Sequence, residues 1–322
     1  MTGPAELARE QRIELSSPDW AECWPSVTGI IATRERPIQL VKAVQSMVDQ
    51  SYPGKVECVI VFDQSNPAPV EVELPPDRRL RLLTNTRTPG AAGARNTGIV
   101  ASDGELVAFC DDDDTWHAEK LRLQVERLYA ASASFVSCGT LFHYADRAIV
   151  RRAPSSVNLR QLTRQRFPEL GLPTFVLRRD ALDDIGLLDE DIPGSYGEDY
   201  DLMLRAARRE PIVAVEQPLV DVFWHQQSFF AQRWQTIADA LKYLLAKHPE
   251  LAADPRGMAR IEGQIAFALA AMAQRSAAFR ASLRSLRGNL FERRAYLAMA
   301  VAAGVLPAAS VVRLANWQGR GI

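Results

Sequence analysis

VAFCDDDDTW, residues 107–116, opens as an apolar run and ends in four consecutive carboxylates. Unbroken apolar character from Val107 to Cys110 suits a short strand covered on both faces. Aspartate is a poor strand former, so the strand ends at Asp111. Two unit charges about 4 Å apart at an effective dielectric of about 20 repel by roughly 4 kcal/mol. Four carboxylates at one strand end therefore need relief: some hold a proton, or a cation sits among them. Oxygen-only ligands favour Mg2+ or Mn2+ over zinc, and one or two carboxylates suit a metal that also binds substrate phosphates. For an isolated acidic run, a solvated turn capping a helix that starts near His117 explains the residues equally well.

The flanking chain supplies the context. Residues 26–32 read as a first buried strand, and Thr33-Arg34-Glu35-Arg36-Pro37 as a turn with Pro37 in the first turn of a helix, where its missing N–H is harmless. Leu40, Val44, Met47 and Val48 share one face of that helix. A second strand, residues 57–62, stops at Asp63. Residues 80–83 form a third, and residues 90–101 a helix of small residues able to pack closely on a sheet. Leu121, Val125, Leu128 and Tyr129 make the next helical stripe. Strands alternating with helices imply a mostly parallel sheet with helices on both faces. Ligands bind such sheets beyond the carboxyl ends of the strands, and Thr33, Asp63 and the run from Asp111 to Asp114 all lie there.

The second half is more mixed. Residues 135–139, 174–177, 212–215 and 219–224 read as strands, and residues 200–209 as a helix that follows an irregular loop ending at Glu198-Asp199. From Phe229 the pattern becomes helical. The expected organisation is an N-terminal extension over 1–25, an α/β domain over 26–228 and a helical C-terminal region over 229–322. Net charge of −1 gives no global basic field for nucleic acid. The four cysteines are widely spaced with no CxxC pair, as in reduced core cysteines of a cytoplasmic protein. The N-terminus lacks an apolar core of signal-peptide type.

Five motifs in order give a resemblance to glycosyltransferase family 2, whose members have the GT-A fold, over residues 26–228. Ile30-Ile31-Ala32-Thr33-Arg34-Glu35-Arg36-Pro37 is similar to the family's opening I-I-P-T-Y-N-R-P, departing at Ala32, Arg34 and Glu35. Val61-Phe62-Asp63-Gln64-Ser65 is similar to V-D-D-G-S, with Phe62 in place of the first aspartate. Gly93 to Ile99 matches A-R-N-x-G-I. Asp111 to Asp114, with Trp116 and Glu119-Lys120-Leu121, matches the D-x-D region. Gly197-Glu198-Asp199-Tyr200-Asp201-Leu202 with Leu204-Arg205 matches E-D-x-D-L-x-L-R.

The resemblance implies an inverting, metal-dependent transfer of sugar from a nucleotide-sugar donor to an acceptor hydroxyl. Asp63 would accept a hydrogen bond from the base with Thr33 in the same pocket, which favours a pyrimidine bearing N3–H, in UDP or dTDP. Asp113 would ligate Mg2+ or Mn2+, with Asp111 and Asp112 supporting through ribose or metal-bound water. Arg95 would contact phosphate or form a salt bridge to an aspartate. His225, at a strand end, would touch metal or diphosphate. Asp199 would be the general base, worth typically about 10²–10⁴-fold, its proton affinity raised by Glu198 and Asp201. Without the resemblance, Glu198-Asp199 reads as acidic residues starting a helix. Trp116 and Trp224 fit sugar stacking or the core.

Three rivals fit parts of the pattern. A haloacid-dehalogenase-type phosphatase would use Asp111 as nucleophile, but its motif follows the first strand and here three precede it. A sugar-nucleotide pyrophosphorylase wants a glycine-rich loop after the first strand. A non-catalytic nucleotide-sugar binder would have no need for both the aspartate run and Asp199. The acceptor stays open among glycan, lipid-linked sugar, natural product and protein, as does homo-oligomer formation. Residues 295–312 form an uncharged run of transmembrane length flanked by Arg293, Arg294 and Arg313. Gly304 and Pro307 favour two short helices buried in the C-terminal region; peripheral contact with the inner face of a membrane is the alternative.

Overall fold

The computed structural model describes residues 24–224 and 233–317. The short helix expected before residue 25, Cys23 and His225 lie outside them. The chain runs β1 (Val27–Thr33), α1 (Pro37–Val48), β2 (Val56–Phe62), β3 (Arg78–Thr84), α2 (Ala91–Ala101), β4 (Leu106–Asp111), β5 (Thr115–Trp116) and α3 (Lys120–Ala130). It continues through β6 (Phe135–Tyr144), β7 (Arg147–Arg151), β8 (Ser156–Val157), α4 (Leu159–Arg164), β9 (Val176–Arg178), α5 (Arg179–Ile185), α6 (Glu198–Ala207) and β10 (Ile212–Trp224). Six helices follow: α7 (Trp234–Lys247), α8 (Pro249–Ala253), α9 (Pro255–Ala271), α10 (Arg275–Gly288), α11 (Arg293–Ala302) and α12 (Ala308–Trp317).

The strands form one sheet in the order β3-β2-β1-β4-β9-β6-β10-β5, with β7 on β6 and β8 on β10. β3, β2, β1 and β4 are parallel, and β9 runs against both β4 and β6. β6 and β10 are again parallel, so six strands point one way. Period-two alternation distributes the central strands between two cores. Ile30, Val107 and Phe109 face a core shared with α6, while Ile31, Leu106, Ala108 and Cys110 face one shared with α1 and α3. β4 is thus covered on both sides, as its apolar run requires. α2 lies close on the sheet: a Cβ at Gly98 would come 2.7 Å from Ile30 Cγ2.

Several boundaries differ from the sequence reading. The strands expected over 212–215 and 219–224 are one strand, β10, whose register against β6 shifts on either side of Pro218; a proline without N–H is tolerated in a strand where the ladder bulges. β6 runs on past Gly139 and turns back as β7, a hairpin with no tight-turn signature in the sequence. α6 starts at Glu198 rather than Tyr200. Cys58, Cys110 and Cys138 are free and buried.

The C-terminal helices form a third core of Ile237, Leu241, Ile261, Ile265 and Phe267 with Ala298, Ala302 and Val311. α7 serves two cores, since Ala240 and Leu244 of the same helix enter the α6 side of the sheet. The apolar run over 295–312 is broken as Gly304 and Pro307 suggest: α11 ends at Ala302, Gly304 takes φ +78°, and α12 starts at Ala308. Among the described residues, no helix is long and apolar enough to cross a membrane.

Candidate active site

The ends of β1, β2 and β4 bring Thr33, Asp63 and the aspartate run to one edge of the sheet. The four aspartates have four different environments. Asp111 is 34% exposed at the side chain and accepts from Arg95 Nη2 at 2.5 Å. Asp112 is nearly buried, and its two oxygens accept from Thr33 Oγ1 at 2.8 Å and Arg36 Nη1 at 3.0 Å. Asp113 is 20% exposed and accepts from the same Arg36 nitrogen at 2.6 Å. Asp114 turns into the interior, where it accepts from the Phe223 N–H of β10 at 3.2 Å. Burial, reinforced by Asp111 and Asp113, pushes the Asp114 carboxyl well above the usual carboxylate range. Burial also raises Asp112, against the opposing pull of Thr33 and Arg36. Arg36, which the sequence reading placed in the turn and the opening motif without a role, offsets part of the crowded charge, and burial of Asp114 favours its uncharged form.

Arg95 links this strand end to the loop before α6. Its guanidinium, 8% exposed, donates from Nη1 to Glu198 Oε1 at 2.6 Å and from Nη2 to Asp111. It is thus the salt-bridging alternative that appears here, and Nε has no hydrogen-bond partner. Burial raises the Glu198 carboxyl, with Asp199 and Asp111 adding to the rise and Arg95 opposing it. Asp199 follows immediately; its Oδ1 accepts from the Tyr200 N–H at 2.7 Å, and it borders a small cavity with Arg166, Phe167 and Tyr200. Asp201, expected to crowd Asp199 with like charge, is instead fully buried and paired with Arg205, Lys247 and His248. Those partners hold it below the usual carboxylate range despite burial.

Asp63 stands at the end of β2 and accepts from Gln64 Nε2 at 2.9 Å, Asn85 Nδ2 at 2.8 Å and the Gly90 N–H at 3.1 Å. Three donors fix its carboxylate at the mouth of the sheet. Asn85 and Gly90 come from the β3–α2 connection, whose polar residues carried no motif. The turns on this edge hold left-handed residues: Glu35 at φ +56° and Gln64 at φ +51°, a conformation that costs non-glycine residues about 1 kcal/mol or more. Such outliers persist where the surroundings over-determine them, commonly at ligand sites. Trp116 is not a sugar platform: it is 4% exposed and donates from Nε1 to the Pro173 carbonyl at 3.1 Å.

The donor set suits a hard divalent cation, because the partly open groups, Asp111 and Asp113, offer only carboxylate oxygen. Among the described residues no three His, Cys, Asp or Glu side chains converge as a closed ligand cage. A metal here would depend on one or two carboxylates together with substrate oxygens, the arrangement common for Mg2+ at phosphate sites.

Residues 28–186 match the family described as glycosyl transferase family 2. A UDP-Glc:alpha-D-GlcNAc-diphosphoundecaprenol beta-1,3-glucosyltransferase of Escherichia coli, WfgD, is 31% identical over 54% of this chain and 66% of its own length. The succinoglycan biosynthesis protein ExoO of Rhizobium meliloti is 35% identical over 47% of this chain and 42% of its own length. The chain therefore spans less than the full length of these curated relatives. Among solved structures, S. aureus TarS 1-349 in complex with UDP aligns with a TM-score of 0.54 at 15% identity, covering 92% of both chains. The mannosyltransferase PcManGT of Pyrobaculum calidifontis, with GDP-Man and Mn2+, aligns at 0.52 and 19% identity over 91% of this chain and 88% of its own. These two likenesses establish the fold, a GT-A α/β sheet with C-terminal helices.

Proposed function

The chain belongs to glycosyltransferase family 2, and from that premise we propose that it moves a sugar from a UDP- or dTDP-sugar to a saccharide hydroxyl with inversion. The observation that carries the proposal is the Arg95 bridge. It ties Asp111 of the acidic strand end to Glu198, the residue before Asp199, and so supports a single site that includes the strand-end carboxylates and Asp199. The UDP-sugar in the name of WfgD and the UDP held by TarS support a uridine donor. The lipid-linked acceptor in the name of WfgD and the succinoglycan biosynthesis in the name of ExoO support a glycan-building acceptor.

In this reading Asp63, fixed by its three donors, accepts from the base N3–H, and Thr33 lines the same pocket. Asp113 would hold Mg2+ or Mn2+, together with His225 from the segment beyond the described residues, and Asp111 and Asp112 would support it. Bound there, the ion would offset the charge that develops on the departing diphosphate. Arg36, 39% exposed, bridges Asp112 and Asp113 and in this reading would turn to a diphosphate oxygen when the donor binds. Asp199 takes the proton of the acceptor hydroxyl as its oxygen bonds to the anomeric carbon and the bond from that carbon to the diphosphate oxygen breaks. Displacement in one step from the opposite face gives inversion.

The test is release of nucleoside diphosphate by the full chain from a panel of UDP-, dTDP- and GDP-sugars. Release should require Mg2+ or Mn2+. Asp113→Asn should abolish it and weaken donor binding only when metal is present. Asp199→Asn should lower turnover at least about 100-fold with donor affinity little changed. Full activity in excess chelator removes the metal role, and a collapse of donor affinity in Asp199→Asn moves that residue out of the base role. Binding without any turnover of donor would make the chain a nucleotide-sugar binding protein.

A further inference from the structure

We propose that the outer face of α10 and the corner between α10 and α11 dock this protein on an anionic lipid bilayer. The inner face of α10 buries Ala278, Ala281, Ser282 and Ser285. The opposite side carries Phe279 and Leu283, 38% and 54% exposed, and the corner that follows carries Leu290 and Phe291, 67% and 88% exposed. Tyr296, itself exposed, joins this corner by donating its hydroxyl to the Leu290 carbonyl at 2.8 Å. A surface helix normally turns polar residues of both signs away from its core. Here the outward positions between the apolar ones are arginines: Arg280, Arg284 and Arg287, with Arg293 just beyond the corner.

The charge identifies what covers this face. Residues 275–322 hold eight arginines and a single glutamate, net +7, whereas the preceding 274 residues carry net −8. That glutamate, Glu292, is buried and paired with Arg294 at 3.0 Å. Arg284 pairs with Glu262, but among the described residues no carboxylate lies within ion-pair distance of Arg280, Arg287 or Arg293. Two copies of such a face would repel each other. A nucleic-acid backbone would satisfy the arginines but leave Leu283, Leu290 and Phe291 without a partner. The lipid headgroup boundary satisfies both sets: arginines at phosphate level and apolar side chains a few ångströms deeper. No described helix is long and apolar enough to span, so the contact is interfacial. The inference stands on this face alone and does not rest on the transferase reading.

The experiment is co-sedimentation of the full chain with phosphatidylcholine vesicles, with and without phosphatidylglycerol, at low and high salt. Binding is expected only with the anionic lipid and is expected to be reversed by salt. Leu290→Ser with Phe291→Ser should weaken it at least about tenfold. Arg280→Gln, Arg287→Gln and Arg293→Gln should each weaken it about fivefold. All five positions are exposed, so the melting temperature should not move. Absence of binding to anionic vesicles, or equal binding by the substituted proteins, overturns the proposal. So does a dimer in light scattering that Phe291→Ser abolishes, which would give the face to a second copy of the chain.

Discussion

Arg95→Met tests whether the bridge between the acidic strand end and α6 is the electrostatic keystone of the site. Methionine keeps most of the buried stem and removes the guanidinium that serves Asp111 and Glu198. Breaking a buried ion pair by removing one partner commonly costs about 3–5 kcal/mol. Glu198 is the costly orphan, with 11% of its side chain exposed, whereas Asp111 at 34% keeps contact with solvent. Glu198 has one escape, which is to take up a proton. Burial already holds the wild-type carboxyl at about 7, above its ordinary 4.5, with Arg95 opposing the rise, so loss of Arg95 lifts it further. Both proteins therefore lose stability as pH rises from 4.5 to about 7, and only the variant goes on losing it above that. Urea unfolding should show a loss relative to wild type that is flat below about pH 6 and grows by up to about 1.4 kcal/mol per pH unit above pH 7. Adding Glu198→Gln should return most of the stability at pH 7, because no charge is then buried, but it should not return turnover, because Asp111 has lost its partner. A loss independent of pH, or a second full loss in the double variant, would refute this account.

Lys120→Met should stabilise the fold. Lys120 is completely buried, its Nζ has no hydrogen-bond partner, and it sits 4.0 Å above the Trp116 ring. Burial lowers its pKa from 10.5 to about 8, with Cys138 and Cys110 opposing. The folded state thus binds fewer protons, and wild-type stability should rise as pH passes from 8 to 10.5. At pH 7 the variant should gain up to about 3 kcal/mol, less about 2 kcal/mol for the lost cation–π contact, and above pH 10.5 it should lose that advantage. Glu35→Asn should add about 1 kcal/mol to thermal stability, since asparagine tolerates the left-handed backbone that Glu35 adopts at φ +56°. Little change in melting temperature would show that Glu35 makes a compensating contact.

The sheet was legible because its signals are local. Val107 to Cys110, Ile30-Ile31 and the run before Asp63 each state their burial and their end within a few residues. The site was legible as a list of strand-end residues, but not as a network. The sequence allowed Arg95 a salt bridge to one of the aspartates, but nothing near it announces Glu198, 103 residues away. Arg36 stood in plain view in the turn after β1, yet its reach to Asp112 and Asp113 depends on how that turn closes. The four aspartates look equivalent in sequence and become distinct only when Phe223 of β10 arrives at Asp114. Asp201 misled for the same reason: a carboxylate two residues from Asp199 reads as a like charge until Arg205 one turn on, and Lys247 from another helix, are seen to pair with it.

The partners of Asp201 beyond α6 show how the C-terminal helices bear on the site. Lys247 at the end of α7 and the adjoining His248 each lie 2.7 Å from Asp201 of α6, and Lys247 also pairs with Asp189 in the loop that precedes α6. Tyr243, one turn earlier, donates to Asp189 at 2.9 Å. Gly197, at φ +86°, starts α6 with Leu244 of α7 only 3.3 Å from where a Cβ would stand. Buried ion pairs add little net stability, but losing one partner is expensive, so a paired arrangement persists as a unit. α7 therefore fixes both ends of the segment that presents Glu198 and Asp199, through charge at Asp189 and Asp201 and through packing at Gly197. With Ala240 and Leu244 in the sheet-side core and Ile237 and Leu241 in the helical one, the placement of Asp199 depends on residues 38 or more positions beyond it.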